Sequence, residues 1–71
     1  MNELSWHSAT TVELNHGFEV TDARDRRVNT LRDVRIACEG GFLHIDIPGT
    51  EEIQLVSAPA VHRICYRPED R

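Results

Sequence analysis

Short runs of alternating apolar and polar residues, separated by glycine-containing turns, occupy most of this chain and constrain its fold more than any other feature. A period of two is typical of a β-strand that has one face in a core and the other in solvent. The runs 12–14 and 18–20 flank Asn15-His16-Gly17, whose glycine tolerates a positive φ. This spacing predicts a first β-hairpin.

The second half of the chain repeats the pattern. Residues 34–38 alternate, Gly40-Gly41 interrupts the run, and a new strand begins at Phe42, which together predict a second hairpin. Pro48-Gly49-Thr50 predicts a turn, because proline fixes one φ and glycine accepts the next. A strand around position 54, a short corner at 57–60 and a last strand over 61–66 follow.

The apolar members of these runs form the predicted core. Ile53 and Leu55 are expected to face inward, with Gln54 between them on the outer face. The complete predicted core consists of Val12, Leu14, Phe18, Val34, Ile36, Leu43, Ile45, Ile47, Ile53, Leu55 and Ile64.

Seventy-one residues are enough for one small domain and too few for two. Short strands joined by tight turns predict a mostly β fold, a small five-stranded antiparallel barrel of the SH3-like or Sm-like kind. Closure would leave little strand edge open to aggregation. We assign 1–11 to an N-terminal arm that is flexible, helical or a lid, 12–67 to the barrel, and 68–71 to a frayed tail.

Five of the eight arginines lie between positions 24 and 35, and the chain has no lysine. We call this set the arginine band: Arg24, Arg26, Arg27, Arg32 and Arg35. Only Asp25 and Asp33 oppose it there, so five positive charges against two leave a local charge of +3 in a chain of net charge −4. We predict an arginine-rich loop over 21–33, with a helix as the alternative.

The arginine band is the predicted partner-binding surface. Arginine forms bidentate bonds with carboxylates and is enriched at protein interfaces, whereas lysine is depleted there. The alternative explanation of the arginine band is a genome that favours arginine codons, which would also produce a chain without lysine. Trp6, in the arm, is either a second interface anchor or a cover for the core.

Four side chains, Cys38, His44, His62 and Cys65, are enough in number for a tetrahedral zinc site. Residues 62 and 65 point to opposite faces of a regular strand, so we expect buried cysteines, surface histidines and no metal. A Cys38–Cys65 disulfide would require neighbouring strands and an oxidising compartment.

Catalytic patterns are also missing from the sequence. No nucleophile elbow or phosphate-binding glycine motif occurs, and the adjacent Glu51 and Glu52 project to opposite sides of a strand instead of sharing a proton. We therefore expect no enzymatic activity and no cofactor.

Two cysteines and the lack of a basic and apolar leader or membrane span predict a cytoplasmic protein.

The spacing of several short segments along the chain resembles that of the Rof family, which are small Sm-like proteins that inhibit the termination factor Rho. The resemblance covers roughly 11–63 and rests on Val12-Glu13-Leu14, Gly17, Gly41-Phe42-Leu43-His44-Ile45-Asp46, Gly49-Thr50-Glu51-Glu52-Ile53-Gln54-Leu55 and Val61-His62-Arg63-Ile64. It implies an Sm-like barrel and Rho as the partner. The arginine band and a longer second hairpin depart from the family pattern. Phage-encoded inhibitors of host enzymes, including RNA polymerase, share this size class and charge asymmetry.

These features together predict a small non-enzymatic protein-binding regulator, monomeric on its own, that inhibits Rho or RNA polymerase and causes antitermination. The alternative is an Sm-like or SH3-like nucleic-acid-binding module that uses the arginine band on phosphates. The net negative charge disfavours that alternative, because the phosphate backbone dominates nucleic-acid affinity and repels an acidic chain.

Overall fold

A computed structural model describes residues 4–68 of the chain. They form seven β-strands and one 3-10 turn, so the predicted mostly β fold is confirmed. In chain order the elements are β1 His7–Leu14, β2 Val20–Thr21, β3 Arg27–Val28, β4 Thr30–Glu39, β5 Phe42–Asp46, β6 Ile53–Ser57, the 3-10 turn Ala58–Ala60, and β7 Val61–Tyr66.

Five strands form one antiparallel sheet in the order β6-β5-β4-β1-β7, and β2 and β3 form a separate two-stranded ribbon. The predicted β4–β5 hairpin is confirmed, with Cys38 opposite Leu43 and both residues of Gly40-Gly41 at positive φ. The turn after β5 is also confirmed, since the Thr50 N–H donates to the Ile47 carbonyl at 3.1 Å.

The predicted first hairpin is wrong. A turn does follow β1, where the Phe18 N–H donates to the Asn15 carbonyl, but β1 pairs with β4 and β7, and β2 pairs with β3. The end of β1 is held by distant groups, because the Leu14 N–H donates to Asn29 and the Asn15 N–H donates to Ala60, at 2.8 and 2.7 Å. Strand β4 offers β1 the buried residues Leu31, Val34 and Ile36, a longer apolar face than the run 18–20 has.

The core lies between the inner face of the five-stranded sheet and the β2–β3 ribbon. Three predicted core residues are wrong, because Phe18, Ile53 and Leu55 are each about half exposed. The register places Gln54 opposite Ile45 and Val56 opposite Leu43, so the even-numbered residues of β6 face inward. The buried cluster consists of Ala9, Val12, Leu14, Val20, Leu31, Val34, Ile36, Leu43, Ile45 and Ile47, with Val28, Val56, Val61 and Ile64 packed against it.

Gln54 attaches the ribbon to the sheet. Its side-chain amide donates to the Thr21 carbonyl at 2.7 Å and accepts from the Thr21 N–H at 3.0 Å. The side chain therefore satisfies both backbone polar groups of one residue of β2, as a neighbouring strand would. This pairing explains why a polar residue occupies an inward position of β6.

A bend interrupts β4 at Asp33, whose φ of 55° lies in the left-handed region that non-glycine residues seldom adopt. Leu31 and Val34 are both buried although three positions separate them, which a regular strand would not allow. The same irregularity occurs across the ladder, where Ala9 and Val12 lie opposite Val34 and Leu31. The bend lets β4 keep both halves of its length against the core.

The connection between β6 and β7 requires the sheet to curl. These strands are the opposite edges of the sheet, and four inter-strand steps of about 4.8 Å would separate them by about 19 Å in a flat sheet. The chain from Ser57 to Val61 spans at most about 14 Å. The 3-10 turn, with Ala60 buried, makes this connection.

Two predicted segment boundaries change. Strand β1 begins at His7, so residues 7–11 belong to the sheet and not to the arm. The segment 21–33 is neither a long loop nor a helix, because it contains the β2–β3 ribbon and the start of β4. The predicted tail lies outside the described residues except for Pro68. Residues 4–68 include no helix of the length and apolarity that crossing a membrane requires.

Candidate functional site: an arginine-lined groove

A groove of about 830 Å³ runs between the tip of the β2–β3 ribbon and the bent part of β4. Its floor is apolar and comes from Leu31, Val34, Ile47 and Pro48, which also border the core. Three members of the arginine band, Arg24, Arg26 and Arg32, line its walls together with Asp22 and Asp33. We call this site the arginine groove.

Asp22 organises the turn that carries two of these arginines. Its carboxylate accepts the backbone N–H groups of Arg24 and Arg26 at 2.9 Å and also pairs with the Arg26 guanidinium, at 3.1 Å to Nη2 and 3.2 Å to Nε. The Arg26 N–H is the main cause that lowers the pKa of Asp22, and the Arg24 N–H and the Arg26 side chain add to it against the opposing effect of desolvation. Asp25 completes the turn at a φ of 65°.

The arginines of the groove differ in how freely they can meet a ligand. Arg26 is already paired with Asp22, whereas Arg24 and Arg32 have no ion pair within residues 4–68. Both side chains are exposed, and Arg32 leaves β4 opposite Thr11. An incoming carboxylate would therefore find two guanidinium groups uncommitted.

The other two members of the arginine band lie outside this groove. Arg27 pairs with Glu19 at 3.4 Å on the outer side of the ribbon. Arg35 lies in a neighbouring groove of about 460 Å³ that shares Asp33 and Val34 with the first. The arginine band is thus divided among three places by the fold and does not form one continuous basic surface.

Trp6 is half-buried and contacts Arg35, whose guanidinium carbon lies 5.8 Å from the ring centroid. This distance is within the range of a cation–π contact. Because Arg35 points away from the core, the indole covers the outer face of the sheet. Neither of the two roles predicted for Trp6, interface anchor or core cover, is decided by this contact, and both stay predictions.

The cysteines and histidines do not form a metal site among residues 4–68, where no group of three His, Cys, Asp or Glu side chains could hold an ion. The expectation of buried cysteines is wrong, because Cys38 and Cys65 are exposed free thiols. Their strands, β4 and β7, are separated by β1, so the neighbouring strands that a disulfide between them would need are not present.

Sequence reasoning missed the residues that shape the arginine groove around the arginines. Asp22 could have been found, because an aspartate that precedes a short polar turn commonly accepts backbone N–H groups two and four residues on. Ile47 and Pro48 could not, because they follow β5 and reach the groove only through the tertiary fold.

Comparisons of this chain with known protein families, with curated proteins and with solved structures returned no match. The resemblance to the Rof family therefore stays a prediction.

Proposed function

We propose that this chain is a non-enzymatic protein-binding regulator that holds an acidic, extended segment of its partner in the arginine groove. The observation that carries the proposal is the convergence of Arg24 and Arg32, both without an acidic partner in residues 4–68, above an apolar floor. Arginine binds carboxylates in a bidentate manner, and an apolar floor accepts the side chains between them.

The charges around the arginine groove favour a protein over a nucleic acid. Arg26 and Arg27 are already paired with acidic side chains, and Asp33 lines the groove itself. A phosphate backbone would meet these carboxylates at every step, because it carries a charge at each nucleotide. An Sm-like or SH3-like nucleic-acid module remains the second candidate, supported by the same two uncommitted arginines.

The fold class that we propose is an Sm-like or SH3-like barrel left open between β6 and β7. It is supported by the strand order β6-β5-β4-β1-β7, the bend at Asp33 and the short 3-10 connection between the edge strands. An experimental structure with a flat, open five-stranded sheet would contradict this proposal.

We further propose that the partner is Rho or RNA polymerase, that the chain acts in the cytoplasm as an inhibitor and antiterminator, and that it is of a kind that phages also encode. The support is the Rof-like spacing together with small size and an acidic body that carries a local arginine cluster. Occupation of a surface on a larger protein is how a single small domain can act without a catalytic site.

Charge reversal in the arginine groove tests the binding mode. We expect Arg24→Glu with Arg32→Glu to abolish capture of the partner from a bacterial lysate while changing the free energy of unfolding by no more than about 0.5 kcal/mol. Arg63→Glu with Arg67→Glu is the matched control, because it makes the same change in net charge outside both the groove and the arginine band. Equal loss of binding in both double variants would contradict a specific groove.

The salt dependence of the captured complex separates the two candidate functions. Binding to phosphates falls steeply as salt rises, whereas a protein segment that also packs apolar side chains on the groove floor should retain more of its affinity. A purified transcription assay then identifies the target. Rho as partner predicts increased read-through at a Rho-dependent terminator, and RNA polymerase predicts altered initiation or intrinsic termination without Rho. Unchanged transcripts in both assays at micromolar protein would refute the transcription proposal.

A further inference from the structure

The free edge of β6 is a second surface that the arginine groove does not use. Strand β6 is the first strand of the sheet and pairs only with β5 among the described strands. The Ala58 N–H donates to the Gly41 carbonyl at 2.8 Å, in register with the β5–β6 ladder. Because hydrogen-bonded pairs alternate along an antiparallel ladder, the peptide groups of Ile53 and Leu55 point away from β5.

The same two residues also present apolar side chains to solvent. Ile53 is 48% exposed and Leu55 is 52% exposed, and Phe42 on β5 is 47% exposed. Phe42 lies opposite Ser57, so it is a diagonal neighbour of Leu55 on the outer face. Proteins normally protect an edge strand with charges or proline, and neither occurs within 53–57.

The border of this apolar face is acidic. Glu51 and Glu52 immediately precede β6, and Asp46 lies opposite Ile53. Arg35, opposite Asp46, is the one lysine or arginine on the part of β4 that pairs with β5, and 36–62 contain no lysine or arginine. Glu51, Glu52 and Asp46 all lie at the end of β6 that begins with Ile53, so a segment that pairs with β6 would meet negative charge at that end of its apolar contacts.

We propose that the edge of β6 binds an extended segment of a partner protein by strand addition, and that this segment alternates apolar residues with lysine or arginine. Backbone hydrogen bonds to Ile53 and Leu55 supply the affinity, and the acidic border selects a basic segment. This site is independent of the arginine groove, which selects acidic segments and is built from the ribbon and β4.

The test uses the full chain and a synthetic probe, acetyl-Lys-Val-Lys-Val-Lys-Val-Lys-amide, followed by NMR of the labelled protein. We expect chemical-shift changes centred on 53–57 and slowed amide exchange at Ile53 and Leu55. A probe with glutamate in place of each lysine should bind about tenfold or more weakly. Shift changes confined to the arginine groove, or none on β6 at millimolar probe, would overturn the proposal.

Two variants separate the edge of β6 from other exposed apolar surface. Ile53→Thr with Leu55→Thr keeps β propensity while removing the apolar contacts, so it should weaken probe binding about tenfold without unfolding the domain. Phe18→Thr, which changes an exposed apolar residue outside both β6 and the arginine groove, should leave probe binding unchanged. Self-association of the wild-type chain that the β6 variant abolishes would show that a second copy, and not a basic partner segment, occupies the edge, and would overturn the proposal.

Discussion

Replacement of Gln54 by methionine removes both hydrogen bonds that attach the β2–β3 ribbon to the sheet while nearly conserving side-chain volume. Each bond contributes about 0.5–1.5 kcal/mol to stability, and a buried peptide group left without a partner costs about 1–3 kcal/mol. Thr21 is half-buried, so water can reach part of the released N–H and carbonyl groups. We therefore expect Gln54→Met to lower the free energy of unfolding by about 1–3 kcal/mol.

This loss is large for the domain, because a chain of 71 residues is expected to have only about 4–11 kcal/mol of total stability. Urea unfolding followed by far-UV circular dichroism measures it. The ribbon carries Arg24 and Arg26, so the same variant should also weaken partner binding, and the Thr21 amide should lose protection from hydrogen exchange.

Gln54→Glu is the matched control for the direction of the hydrogen bonds. A carboxylate still accepts from the Thr21 N–H, but it cannot donate to the Thr21 carbonyl and places a negative charge against that oxygen. The variant should therefore be destabilised at pH 7 and recover part of the loss near pH 4, where the carboxyl begins to take up a proton that it can donate. A change below about 0.5 kcal/mol in both variants at pH 7 would refute the reasoning.

Three further predictions concern stability. Ile45→Ala should cost about 2–5 kcal/mol in urea unfolding, because Ile45 is fully buried at the centre of the core; a smaller cost would mean that the core is loosely packed. Asp33→Val should destabilise by about 1–2 kcal/mol despite its β propensity, whereas Asp33→Gly should not, because only glycine adopts this φ without strain. Hydrogen bonds lower the pKa of Asp22, so its stabilising effect is present above the ordinary pKa of about 3.9 and is lost as pH falls through the lowered value. Asp22→Asn should therefore be less stable than the wild type at pH 7, and melting temperatures measured from pH 7 to pH 2 should converge in acid.

Features that depend on neighbouring residues were readable from the sequence. The β4–β5 hairpin follows from Gly40-Gly41 between two alternating runs, and Leu43, Ile45 and Ile47 share the buried face because their period of two fits a strand. The last strand, Val61–Tyr66, has the predicted bounds. In each case backbone preference and side-chain pattern within about ten residues are enough to determine the outcome.

Features that depend on pairing between distant residues required the tertiary structure. Alternation in 53–57 is compatible with either face inward, and the contact of Gln54 with Thr21, 33 positions away, selects the phase that exposes Ile53 and Leu55. Strand β1 likewise pairs with β4 because β4 offers a longer buried apolar face than 18–20, and not because of the nearby turn. The five members of the arginine band lie close together in the sequence, yet the ribbon and the bend at Asp33 place them on different parts of the surface. Arg24 and Arg32 line one groove that Ile47 and Pro48, distant in the sequence, complete, so the groove exists only in the tertiary fold.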